Sequence, residues 1–294
     1  MAHLHLTREL LDALFDGQRK PEELVPLVLA HLFDLCPFCE EEFRAWEERA
    51  TRERARSYDE IFSRLRSTAG TAEAKVAAER EEAARTLQTI LALPRHERLE
   101  AVKGSVRRFQ GPVLAELVID ESRWQMPGRP QDALALAQLA KAVLLHAPVS
   151  GFVQEVYARA MAHVANALRV LGKLAEAGEM FDDARFLLCG EGGVENRLAA
   201  ELDNLEGLLR LDQRRLSEAE ALLKRAVLTY ELDLALVEAA RASINLSLLY
   251  RESGKPSRGR DAARRALDLL DPEEEPRLSL FARHNLALCL CESG

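Results

Sequence analysis

Apolar positions near the N-terminus fall into two short helical stripes. Leu10, Leu11, Leu14 and Phe15 share one face of a helix that Thr7 can cap and Gly17 can stop. Leu24, Leu27, Val28 and Leu32 share a face of a second helix, opened by Pro21 and with Pro26 near its start. A longer stripe follows in strongly charged sequence. Phe43, Trp46, Ala50, Tyr58, Ile61, Phe62 and Leu65 recur at helical steps, with Arg54 interrupting, and predict an amphipathic helix. Residues 72–93 read as another charged helix ending at Pro94, and two shorter helices divided near Gly111 and Pro112 follow. Gly70 with Thr71 reads as a hinge.

Beyond residue 111 the pattern repeats. "NLSLLYRESG" starts at Asn245 and "NLALCLCESG" at Asn285, and both read N-L-x-L-x-x-x-E-S-G. Gly254, Pro256, Gly259, Ala263 and Ala266 have the spacing of Gly128, Pro130, Ala133, Ala137 and Ala140. Gly172, Leu174, Ala177, Phe181 and Ala184 match again, as do Leu216, Ala219, Leu223 and Ala226, with Arg214 in place of the glycine. A glycine ends one helix because it tolerates positive φ. Small residues at steps of four and three on the next helix let two helices cross closely. Each such pair leaves an apolar face that only a neighbouring pair can cover, so the pairs stack. This predicts an all-α fold. The last repeat reaches Gly294 after its first helix, with Leu286 and Leu290 uncovered. The expectation is that the native chain continues or that another surface covers this end.

Composition agrees with packed helices. Alanine, leucine, glutamate and arginine dominate, and aromatic residues make up only 5%. Net charge is −8, without the basic stripe of a sequence-independent nucleic-acid binder, so no direct nucleic-acid partner is expected. The start "MAHLHLTREL" lacks a secretory signal, and "ALALAQLAKAVLLHAPV" is interrupted by Gln138, Lys141 and His146, which argues against a membrane span. Five cysteines, of which Cys189, Cys289 and Cys291 lie in apolar helical contexts, suit free thiols in the cytoplasm.

The candidate chemistry lies in "HLFDLCPFC", residues 31–39. The segment around it has a very small core, and units below about 40 residues usually need a metal or disulfides. A C-x-x-C turn aims both sulfurs at one point, and Pro37 favours that turn. Structural zinc takes four ligands. Beside Cys36, Cys39 and His31, only His3 and His5 lie upstream. Three readings follow: structural zinc, a site that has lost its metal, and a thioredoxin-type redox pair, the last without a surrounding βαβ pattern. A zinc site would hold Cys36 and Cys39 as thiolates open to oxidants, and four protein ligands would leave no open position for catalysis.

Together with "HLTRELLDALFDG", this segment resembles the zinc-binding anti-sigma-factor domain of bacteria over about the first 45 residues. The resemblance implies His5, His31, Cys36 and Cys39 as the Zn2+ ligands. It also implies that the next helix packs on a sigma factor, through Phe43, Trp46 and Tyr58. The family usually has three residues between histidine and first cysteine; here Leu32, Phe33, Asp34 and Leu35 make four, so the helix must end before Cys36. The alternative is that this stripe covers the protein's own helices.

The repeats resemble the tetratricopeptide family in its longer form, of about 40 residues. The turn glycine and the small or bulky positions of the second helix carry the match. The family's aromatic and C-terminal proline positions are mostly missing, Tyr250 being the clearest one retained. The resemblance implies a right-handed α-solenoid of about four and a half repeats. Its first helices would line a concave groove for a peptide or a partner's helix. Mapped here, the groove residues are Arg159, His163, Asn166, Asn204, Arg241, Asn245, His284 and Asn285. Alternatively, Asn245 and Asn285 bond backbone carbonyls between helices and the arginines are solvated.

The resulting organisation is a zinc-binding head over residues 1–45, charged helices and a connector over 46–110, and repeats over 111–294. No phosphate-binding glycine loop, H-E-x-x-H or G-x-S-x-G occurs, and "HERLE" at His96 lacks the second histidine of a zinc protease. The expectation is a non-enzymatic regulator whose head holds a protein partner such as an alternative sigma factor. The alternatives are a scaffold whose zinc head is purely structural, and a sensor for a catalytic domain further along a longer chain.

Overall fold

The structure, a computed structural model, describes residues 55–105, 109–145, 147–148, 150–188 and 197–292, with side chains from Ala74 onward. The chain divides after Glu82 into two units. Every regular element among the described residues is an α-helix, eleven in all. They are α1 (Ala55–Ala92), α2 (Arg95–Lys103), α3 (Pro112–Gln125), α4 (Pro130–Val143), α5 (Gly151–Val170) and α6 (Leu174–Leu188). Then come α7 (Arg197–Asp212), α8 (Leu216–Leu232), α9 (Leu236–Glu252), α10 (Pro256–Asp268) and α11 (Pro276–Glu292). His5, His31, Cys36, Cys39, Phe43 and Trp46 lie outside the described residues. Tyr58 falls within α1, in the stretch where only the backbone is described. The hinge expected at Gly70 and Thr71 is helix interior, because α1 runs through both without a break.

Local sequence sets the helix starts. Pro112, Pro130 and Pro256 occupy first-turn positions, where the missing N–H leaves no bond unmade. Ser150 caps α5, its Oγ accepting from the Val153 N–H at 3.2 Å. Helix ends follow one scheme four times. The residue at 172, 214, 234 or 254 takes a positive φ, and the next N–H reaches back to Leu168, Arg210, Tyr230 or Tyr250. This is the Schellman closure, and glycine is its unstrained occupant. Gly172 and Gly254 fill it so, but Arg214 (φ 61°) and Leu234 (φ 53°) hold the same conformation as ordinary L-residues. Gly128, read from sequence as an equivalent turn glycine, does not have positive φ.

Packing in the unit from Ala83 onward follows chain order. The antiparallel neighbours α3–α4, α5–α6, α7–α8 and α9–α10 form the main contacts, and α3, α5, α7, α9 and α11 also touch in succession. The odd-numbered helices therefore make a row, with the even-numbered ones behind it. The core lies between, where the small residues of the repeat sit. Ala133, Ala137, Ala140, Ala177, Ala184, Ala219, Ala226, Ala263 and Ala266 are completely buried. Two crossings are so close that a β-carbon would not fit. At Gly207 it would come within 2.8 Å of Leu223 Cγ, and at Gly259 within 2.8 Å of Cys289 Sγ. Ser122 Oγ donates to the Ala133 carbonyl and Ser247 Oγ to the Gly259 carbonyl, each at 2.7 Å, which pins two of the pairs together. The segment read as a connector contributes to the core: Ile90, Val102 and Phe109 join Leu114, Val118, Ile119, Leu136 and Val143 in one cluster.

A charged cluster joins α6, α7 and α8. Asp203, nearly fully buried, accepts from Arg185 and, in bidentate fashion, from Arg225. Glu206 accepts from Arg185 and Arg210, each at 2.6 Å. A buried carboxylate without such partners would be strongly destabilising, so these arginines are part of the packing.

Candidate functional site

Helical spacing places the site. Glu155, Arg159, His163 and Asn166 follow at steps of three and four on α5, as do Arg197, Glu201, Asn204 and Leu208 on α7 and Glu238, Arg241 and Asn245 on α9. Each set shares one helix face, and in the odd-numbered row these faces turn toward a single cavity of about 620 Å³. Glu116, Arg123 and Met126 close it from the α3 side, and Tyr230 reaches it from the last turn of α8. Phe152, Leu198, Leu205 and Leu208 supply its apolar wall.

Its floor is an ion-pair network. Glu201 Oε2 accepts from Arg159 Nε at 2.8 Å, and Glu201 Oε1 lies 2.9 Å from His163 Nε2. Glu116 and Asp120 flank Arg159 at 3.7 Å each. Burial pushes the Glu201 carboxyl upward, but the His163 hydrogen bond and the Arg159 charge outweigh it and hold the group well below the usual carboxylate range. Burial also opposes the Arg159 charge, and there Glu201, Asp120 and Glu116 win. At His163, which is 2% exposed, burial dominates and lowers the imidazole pKa. The ring is therefore neutral at pH 7, with Nε2–H donating to Glu201 and a buried Nδ1 without a partner.

The asparagines are held by side chains. Asn245 Nδ2 donates to Asn204 Oδ1 at 2.9 Å, and Asn166 Oδ1 accepts from Arg169 at 3.0 Å. Asn285, in contrast, donates to the Ile244 carbonyl at 3.3 Å, the interhelical role set out above as its alternative. His284 and Asn285 are not among the residues lining the cavity, whereas Arg159, His163, Asn166, Asn204, Arg241 and Asn245 all are.

Arg241 differs from the other arginines here. Arg123 has Asp120 at 3.5 Å, and Arg197 has Asp233 at 3.9 Å and Glu238 at 3.7 Å. Among the described residues no carboxylate lies within ion-pair distance of Arg241, and its buried Nε has no hydrogen-bond partner. Burial lowers its pKa and the Arg123 charge adds to that effect. The Tyr230 hydroxyl has its pKa raised by burial, then by Glu201 and Glu238, against the charges of Arg123 and Arg241. Between the first and last helices of the row, Trp124 of α3 is 65% exposed and the Arg277 guanidinium of α11 lies 4.6 Å from its ring centroid.

Among the described residues no Ser, Thr or Cys lines this cavity, and no three metal-ligating side chains come together. No described helix is long and apolar enough to cross a membrane. Sequence reasoning missed Glu201, although it lies one repeat length beyond Arg159 and on the Asn204 face. Tyr230 had no such signal, because it reaches the cavity from an even-numbered helix. Nor did the Trp124–Arg277 contact, whose partners lie at opposite ends of the repeats.

No protein-family model matches the chain, and no curated protein matches it. Among solved structures, the crystal structure of BtubC (BKLC) from P. vanneervenii is similar at 18% sequence identity and a TM-score of 0.45. The likeness covers 74% of this chain and 87% of that one.

Proposed function

We propose that this chain is a non-enzymatic protein-interaction scaffold of the tetratricopeptide kind, which holds a segment of a protein partner against the odd-numbered helices. The observation that supports it most is the cavity itself. Alternate helices turn one face each toward a common space, and that space mixes an apolar wall with fixed donors and acceptors. Such a lining suits an extended peptide or a single helix better than a flat protein surface. The test is a photo-crosslinking amino acid placed at Leu205, inside the cavity, or at Phe186, exposed on α6 and outside it. Crosslinks to a discrete partner from Leu205 and not from Phe186 support the reading. Equal labelling from both positions, or none from Leu205, refutes it.

A second reading concerns the N-terminal segment, and the motif there favours it. His5, His31, Cys36 and Cys39 hold a structural Zn2+, and Phe43, Trp46 and Tyr58 meet a sigma factor, making the whole chain an anti-sigma-like regulator. Elemental analysis of the purified full chain should give about one zinc per chain, lost in Cys36→Ala with Cys39→Ala. A metal-free wild-type protein would end this reading and leave the scaffold proposal standing.

A further inference from the structure

We propose that the partner segment in this groove carries an acidic side chain, seated against the guanidinium of Arg241 with Arg123 and the Tyr230 hydroxyl beside it. The inference rests on the groove reading above and specifies its occupant.

Charge balance at individual residues carries the argument. Arg123, Arg159 and Arg197 each have an acidic neighbour within ion-pair distance, and Arg241 has none. A guanidinium taken largely out of water without a counter-charge is costly. The side chain nevertheless lines the cavity, where the like charge of Arg123 opposes it and Glu238, Glu275 and Glu201 favour it only from beyond ion-pair distance. The Tyr230 hydroxyl, also in the lining, has no protein partner among the described residues. Donors thus converge there without an acceptor. A carboxylate meets that demand, since it accepts two parallel N–H bonds from a guanidinium and a third from a phenol. The cavity as a whole is not basic, because Glu116, Glu155, Glu201 and Glu238 line it too. Those acids are paired (Glu116, Glu201 and Glu238) or solvent-exposed (Glu155), so they place no comparable demand on a ligand. The unmet demand is local and cationic, so one carboxylate fits and an extended polyanion would meet the glutamates.

Selection of a random peptide display library on the full chain tests this, because the natural partner is not needed. A selected peptide is synthesised with its acidic residue and with the matching amide, and each is titrated by fluorescence anisotropy. The carboxylate should bind about tenfold or more tightly than the amide. In Arg241→Met that difference should vanish, and in Tyr230→Phe it should shrink. Arg241 has no protein partner to lose, and the peptide-side comparison needs no protein variant. Selected peptides that bind in the groove but tolerate the amide within about twofold overturn the inference alone. So does an acid preference that survives Arg241→Met undiminished. Peptides indifferent to a blocking Leu205→Trp, or no enrichment at all, overturn the groove reading and the inference with it.

Discussion

Alanine substituted for glycine should act in opposite directions at Gly178 and Gly259, although both lie near the start of an even-numbered helix. In a helix interior the change favours the helix by about 1 kcal/mol. At Gly178 nothing opposes that gain, because an added β-carbon meets no atom within 4 Å. At Gly259 the same atom comes within 2.8 Å of Cys289 Sγ and 3.1 Å of the Ser247 carbonyl oxygen. The sulfur is fully buried, and the Ser247 Oγ bond to the Gly259 carbonyl holds α9 and α10 together, so neither contact yields readily. Overpacking of this kind costs about 1–3 kcal/mol. The expected sum is a stabilisation of about 1 kcal/mol for Gly178→Ala and a destabilisation of about 1 kcal/mol for Gly259→Ala. In a unit of this size that is about 2–4 °C up and down in Tm. Urea and thermal unfolding followed by far-UV circular dichroism measure both. Cys289→Ala supplies the third arm: with the sulfur removed, Gly259→Ala should lose at least about half of its penalty. Equal gains at both glycines, or a Gly259→Ala penalty unchanged without the sulfur, would show that close approach does not explain the glycine.

Four further outcomes are expected. Leu234→Gly should stabilise by about 0.5–1 kcal/mol, since relief of the left-handed backbone exceeds the added freedom of the unfolded chain and the leucine is 80% exposed; a loss in denaturant titration would refute the strain argument. Arg214→Gly should gain less, because it also removes the 3.2 Å pair with Glu252. Because burial lowers the His163 pKa in the fold, its contribution is full above the unfolded value of about 6.5 and is lost as pH falls below it. Glu201, whose pKa is also lowered, adds to the loss below about pH 4, and a pH series of unfolding free energies in which His163→Gln leaves the slope between pH 7 and 5.5 unchanged would refute the assignment. Finally, Arg277→Ala in a Trp46→Phe background should raise acrylamide quenching of Trp124, whose ring the guanidinium covers; an unaltered quenching constant would refute that contact in solution.

Sequence alone determined the helical class and the positions at which helices cross. Both are local or periodic properties: a small residue every third or fourth position marks a close crossing whatever lies on the far side. That is why Ala177, Ala219 and Ala263 could be read as packing residues and prove completely buried. The resemblance to the tetratricopeptide family, not periodicity, singled out Arg159, His163, Asn166, Asn204, Arg241 and Asn245, together with His284 and Asn285, which do not line the cavity. Tertiary structure alone decided what those side chains do. Only the approach of α5 to α7 makes Glu201 the partner of His163 and Arg159, only the reach of α8 brings Tyr230 to the same cavity, and only the whole row leaves Arg241 without a carboxylate at ion-pair distance among the described residues. The left-handed closure at Leu234 was equally invisible, whereas Arg214 stood at a turn-glycine position of the repeat; at both, packing on either side imposes a backbone conformation that the residue does not prefer. Periodicity records which face of a helix turns inward; which charges meet there depends on distances between segments far apart in the chain.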